Sequence, residues 1–186
     1  TTKGQMNMER KKIRAVVEGA VIAALYTTLC VALAPISFGQ MQIRVAEALT
    51  LLPLFTPNGI WGVTVGCILS NTFGLFLGTN ILGPWDILFG SLATLIAACL
   101  TRILKKPTIK GFPILAPLPP VVLNAVVVGL ELTFVTVNHF DIRVFLIQAV
   151  YVAVGEIVAC YGLGWLLFWA MERRGLKSKI FLNQYS

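Results

Sequence analysis

FGQMQIRVAEALTLLPLFTP, residues 38–57, decides how the rest of the chain is read. It sets Gln40, Gln42, Arg44 and Glu47 between two apolar runs. The surrounding chain is 57% hydrophobic and only 12% charged, with a mean hydropathy of +0.83. Soluble domains carry about 25% charged residues. Polar and ionisable groups are costly at bilayer depth, so a cluster of them in such a chain needs a reason. Outward from this stretch, several apolar runs reach the roughly 20 residues that cross a bilayer as a helix. The 16 glycines suit membrane helices, where small residues let backbones approach.

These runs predict an all-α integral membrane protein of six spans. The spans are 15–34 (ended by Pro35), 45–55, 60–77, 85–104, 117–137 and 144–171. Pro119 and Pro120 suit the start of the fifth. The second span is short for an untilted crossing. The basic residues fall on one side of this topology. Lys3, Arg10, Lys11, Lys12 and Arg14 precede the first span, and Arg102, Lys105, Lys106 and Lys110 fill the loop before the fifth. Arg173, Arg174, Lys177 and Lys179 follow the last, leaving only Arg44 and Arg143 on the other side. This is the positive-inside pattern, and it places both termini in the cytoplasm. The net charge of +7 is therefore a topology signal rather than a nucleic-acid patch. The chain divides into a basic cytoplasmic N-terminus (1–14, with tag-derived residues expected over 1–5), a membrane domain (15–171) and a basic cytoplasmic C-terminus (172–186).

Cys30, Cys67, Cys99 and Cys160 lie singly in apolar spans without CxxC spacing, and read as small buried hydrophobes. His139 reads as a loop residue. No metal, cofactor or catalytic residue is expected. The sequence has one histidine, no HExxH or GxSxG, and no GxxxxGK[ST].

Two faces carry chemistry. On helix 1, Ala20 and Ala24 form an AxxxA pair beside a row of Ala15, Gly19 and Ala23. Residues four apart share a helix side, so this strip admits another helix closely, from this chain or another. The second face is ionisable. Glu18 lies four residues after Arg14, an i,i+4 pair. Glu172 adjoins Arg173 and Arg174, and Asp141 is expected in a solvated loop. Glu47, Asp86, Glu131 and Glu156 remain. Glu131 and Glu156 lie deep, roughly 21 Å and 18 Å into their helices. The amides Asn71, Asn124 and Gln148 accompany them. Asn124 shares a helix side with Glu131, and Gln148 with Glu156. Each amide alone reads as an interhelical hydrogen bond, and Trp85 alone as an interfacial belt residue. Together they predict a pocket for a polar or cationic ligand.

The segments GVTVGCILSN (62–71), GPWDILFGSLATLIAACL (83–100), PPVVLNAVVVGLEL (119–132) and VAVGEIVACYGLG (152–164) follow residues 38–57 in order. The set resembles the QueT family, the substrate-binding S components of energy-coupling factor (ECF) transporters for queuosine precursors. The resemblance runs from Arg14 to about Trp169. It implies a six-helix S component and a ligand such as queuine or 7-aminomethyl-7-deazaguanine. It also implies docking of Ala20 and Ala24 onto an EcfT transmembrane subunit, with two EcfA-type ATPases supplying energy. The expected substrate-binding set is Arg44, Glu47, Asn71, Trp85, Asp86, Asn124, Glu131, Gln148 and Glu156. Gln40 and Gln42 belong to an external gating loop, in which Arg44 and Glu47 are expected to pair. The other readings are an S component for a different vitamin-like substrate and a stand-alone secondary transporter. The latter often shows repeated halves or broken helices, which this sequence lacks.

Overall fold

The computed structural model describes residues 3–39, 42–106 and 108–173. Helix α1 spans Lys3–Ala32 and so includes the basic residues before the first apolar run. Pro35 sits in the first turn of the short α2, Ala34–Ser37. A 3₁₀ helix, Val45–Leu54, follows. Then come α3 (Asn58–Phe76), α4 (Trp85–Ile103) and a two-residue hairpin of β1 (Thr108–Ile109) and β2 (Phe112–Pro113). Helix α5 is Leu118–Val137, with prolines in its first turn as the sequence predicts. The last rod is α6 (Ile142–Glu156), a π-helical segment (Ile157–Leu163) and α7 (Gly164–Arg173), unbroken. Among the described residues, five helices are long and apolar enough to cross a membrane: Gly4–Ala32, Asn58–Phe76, Trp85–Ile103, Leu118–Val137 and Ile142–Arg173. The protein is of the all-α membrane class.

The segment 45–55, expected as the second span, is the point of difference. It is ten residues of 3₁₀ helix with Pro53 inside, and Ala46 through Pro53 are buried. As α-helix it would rise ~15 Å, and as 3₁₀ helix it rises ~20 Å. Its ends show what the extra length does. At one end Arg44 bonds Asp86 in the first turn of α4. At the other, Arg102 in the last turn of α4 donates to the Pro53 carbonyl at 2.7 Å. The run from Asp86 to Arg102 rises ~24 Å. The 3₁₀ winding brings the ten-residue segment closer to the span between its two contacts on α4 than α-helical winding would.

Small residues set the spacing of α1 and α3. Gly62, Gly66, Ser70 and Gly74 recur every four residues on the buried side of α3. A Cβ on Gly66 would lie 2.6 Å from Tyr26 Cβ, and one on Gly62 would lie 2.7 Å from Ile22 Cβ. Helices α5 and α6 form a hairpin. Asn138 closes α5 in a left-handed conformation (φ 57°), and the Asp141 carboxylate caps α6 by accepting from the Arg143 and Val144 amides. Asp141 thus has a structural task, where the sequence suggested a solvated loop residue. Near the other end of the molecule, Glu18 pairs with Arg14 (3.7 Å), as its spacing predicts. It also accepts from Asn58 (2.8 Å) and Thr56 (3.2 Å), tying α1 to the start of α3.

Candidate substrate site

The site begins at the end of the bundle where α4 starts. Arg44 Nη2 lies 2.7 Å from Asp86 Oδ2, and the two side chains are 3% and 0% exposed. Arg44 Nε also donates to the Ser37 carbonyl at 3.3 Å, and the guanidinium lies 5.6 Å from the centre of the Phe38 ring. Asp86 Oδ2 accepts a second bond from Asn80 Nδ2 at 3.0 Å. Asn71 Nδ2 donates to the Asp86 carbonyl at 2.8 Å. Gly90, one turn on, has no side chain because the Asp86 carboxylate occupies the space a Cβ would need. This cluster clips the segment before the 3₁₀ helix to α3 and α4.

One turn deeper, Tyr26 on α1 donates its hydroxyl to Glu47 Oε1. On the far wall Asn124 Nδ2 donates to Glu156 Oε1 at 2.9 Å, and Cys160 Sγ approaches Glu156 Oε2 at 3.5 Å. Cys160 also reaches the Glu47 carbonyl (3.6 Å) and Thr50 Oγ1 (4.0 Å). The 3₁₀ helix and the π segment therefore meet between the two acids. Both windings are uncommon, and π segments recur at functional sites. Helices α5 and α6 place the remaining polar groups on two levels. Asn124 faces Glu156 at one, and Thr136 faces Gln148 (3.4 Å) at the other, ~18 Å away along α5. Glu131 lies between them.

Buried polar groups in proteins are nearly always hydrogen-bonded. Among the described residues a set of buried side-chain atoms has no protein partner: Gln42 Nε2, Glu47 Oε2, Asn71 Oδ1, Asp86 Oδ1, Gln148 Oε1 and both carboxylate oxygens of Glu131. Ser37 Oγ and Ser91 Oγ belong to the same class. The set is acceptor-rich, with three carboxylates and two amide oxygens. Its chemistry suits a ligand that presents several N–H donors or a cation. The backbone at Gln42 is left-handed (φ 34°), a conformation uncommon for a non-glycine residue and concentrated at functional sites.

Most of the sequence-derived residues are buried within the bundle. Arg44, Glu47, Asn71, Asp86, Asn124, Gln148 and Glu156 are all buried, as is Gln42. Glu131 is half-buried with buried oxygens. Two expectations are corrected. Arg44 pairs with Asp86 rather than with Glu47, whose partner is Tyr26. Trp85 lies apart from the cluster. It is 64% exposed and stacks on Phe89 along the outer face of α4, because its Cα is one residue (about 100°) round the helix from Asp86. Gln40 lies outside the described residues. Tyr26, Asn80 and Cys160 were missed. Tyr26 stands beside Thr27 and Thr28 in an otherwise apolar run, and no motif in the sequence singles out Asn80.

On the outer surface, Ala20 and Ala24 are exposed. Ala23 is buried and Gly19 half-buried against α3, where a Cβ on Gly19 would meet the Asn58 carbonyl. Helix 1 thus uses one small-residue row internally and presents the other outward. A shallow apolar groove of ≈ 380 Å³ runs along it, lined by Ala15, Gly19, Ala20, Ala23, Trp61 and Val65 among others.

The family model for the QueT transporter matches residues 16–173. Among curated proteins, the chain is similar to the queuosine precursor transporter QueT of Lactococcus lactis subsp. cremoris (strain MG1363). The two are 37% identical over 92 residues, covering 48% of this chain and 50% of the relative. The match thus spans about half the length of that relative. No solved structure matches. With the polar site enclosed by all five long helices and the family match running from the first of them to the last, the chain belongs to the QueT transporter family.

Proposed function

We propose that this protein is the substrate-binding S component of an ECF importer in a bacterial cytoplasmic membrane, and that it captures a queuosine precursor such as queuine or 7-aminomethyl-7-deazaguanine. The observation that carries the reading is the set of buried acceptors without protein partners, Glu47 Oε2, Glu131 and the Asn71 and Gln148 amide oxygens, in a QueT-family chain. A deazaguanine edge offers adjacent N–H donors that one carboxylate accepts in bidentate fashion. An aminomethyl cation is complementary to a second carboxylate. The unpartnered Gln42 amide nitrogen supplies a donor for the ring carbonyl. Arg44 and Asp86 act here as the strut that holds the entrance, joined through Arg44 Nη2 and Asp86 Oδ2.

Six crossings with both termini cytoplasmic fit this role. The 3₁₀ helix, end-matched to α4, supplies the sixth, and the basic residues gather at the opposite end from Arg44 and Asp86. The exposed Ala20–Ala24 strip is the proposed EcfT docking surface, and two EcfA-type ATPases supply the energy. Isothermal titration of the purified protein in detergent, without ATP, tests the substrate. Queuine or its precursor should give a saturable signal that thiamine, biotin and riboflavin do not. A signal from one of those three with none from the deazaguanines would refute the substrate reading. Co-purification of EcfT and the ATPases tests the assembly.

A further inference from the structure

We propose that the groove between the β-hairpin and the end of α7 binds one anionic phospholipid, with its phosphate between Lys110 and Arg173. The groove measures ≈ 710 Å³, and its lining includes Lys110, Phe112, Trp165, Phe168, Trp169 and Arg173. It lies at the end of the bundle opposite the polar site, beside the last turn of α4.

The floor is aromatic and fixed. Phe112 packs edge-on against Phe168 (centroids 5.3 Å apart, 86° between planes), and Phe168 tilts against Phe55 at 5.4 Å. Tyr161 Oη donates to the Ile114 carbonyl at 2.9 Å, fastening the chain after the hairpin to the last helix. The rim is basic and placed by local geometry. Lys110 and Gly111 form the hairpin turn with φ of 50° and 84°, the left-handed pair that a two-residue turn requires, and this raises Lys110 to the edge. The Arg173 guanidinium lies 4.2 Å from the centre of the Trp169 ring. Such stacking uses the flat face of the guanidinium and leaves its N–H edges directed sideways, the geometry that grips a phosphate.

Charge complementarity selects the occupant. Lys110 and Arg173 outnumber the one acid in the lining, Glu172, and exposed Lys105 and Lys106 lie in the same connection. Trp165 and Trp169, 48% and 45% exposed, present amphipathic rings of the kind that sit at headgroup level. An aromatic floor open to acyl chains beneath a cationic rim fits a lipid phosphate above its hydrocarbon. A free phosphate would make no use of the floor. A zwitterionic headgroup would bring its own cation against the rim.

Native mass spectrometry of the intact protein in detergent, with phosphatidylglycerol or phosphatidylcholine of matched chains, tests the proposal. Phosphatidylglycerol adducts should predominate on the unaltered protein. The Lys110→Ala/Arg173→Ala variant should lose them by about fivefold or more, since each base near an anionic surface contributes ~1 kcal/mol. Lys110→Arg/Arg173→Lys keeps both charges and should keep the adducts. Unchanged melting in detergent shows that both variants are folded. Equal occupancy by the two lipids, or full retention by the alanine variant, would overturn the proposal. So would displacement of the lipid by millimolar inorganic phosphate, which would mark a free-anion site. These readouts are independent of substrate binding and transport.

Discussion

Replacing Asp86 with alanine should be among the most damaging single changes in the protein. The carboxylate accepts from Arg44 Nη2 at 2.7 Å and from Asn80 Nδ2 at 3.0 Å, and its side chain has no exposed surface. Its removal leaves the Arg44 guanidinium, 3% exposed, with only the Ser37 carbonyl at 3.3 Å among the hydrogen bonds described. Breaking a buried pair from one side costs about 3–5 kcal/mol, because the stranded charge remains desolvated. For a chain of this size each kcal/mol shifts Tm by about 2–4 °C, so Asp86→Ala should melt roughly 6–20 °C lower. Replacing both partners by apolar residues of similar volume is often near neutral. Arg44→Met/Asp86→Leu should therefore recover most of the loss. Thermal unfolding of the single and double variants in one detergent closes a double-mutant cycle. The reasoning fails if Asp86→Ala melts within about 2 °C of the unaltered protein, or if the double variant is as unstable as the single one.

Glu131→Gln and Glu156→Gln should leave the protein folded but weaken binding of a deazaguanine ligand. An unpaired buried group costs about 1–3 kcal/mol, a loss of roughly fivefold to over a hundredfold by titration, and unchanged affinity in both would assign these acids to the scaffold. Ala20→Trp and Ala24→Trp point away from the bundle, so ligand titration should be preserved while EcfT pull-down is lost. Normal assembly by both would exclude the strip as a docking surface. Gly66→Ala forces a methyl against Tyr26 Cβ at 2.6 Å, so α1 and α3 must part. Overpacking of this kind costs typically 1–3 kcal/mol, and a melting temperature equal to that of the unaltered protein would contradict the close approach.

The sequence was most legible where a one-dimensional signal answers the question. Apolar runs bounded by Pro35, Pro119 and Pro120 located the long helices, because spanning length and helix-start chemistry are local properties. The rule that buried ionisable groups need a purpose picked out Glu47, Asp86, Glu131 and Glu156 before any neighbour was known. It could not name their partners. Arg44 finds Asp86 at a separation of 42 residues and Tyr26 finds Glu47 at 21, contacts set by how the helices cross. The nearer candidate, Glu47, was the wrong one for Arg44.

The 3₁₀ segment shows the physical limit most clearly. A 3₁₀ helix turns about 120° per residue and an α-helix about 100°. Over nine steps the difference grows to ~180°, so assuming the wrong winding reverses which side chains at its far end face the site. No local pattern in VAEALTLLPL distinguishes the two windings, because nearly every residue in it is buried. Composition and charge alone determined that this chain is a membrane protein with acids that require an explanation. The winding belongs to the tertiary structure, in which the segment is tied to Asp86 before its start and to Arg102 near its end, with Glu47 against Tyr26 and beside the π segment.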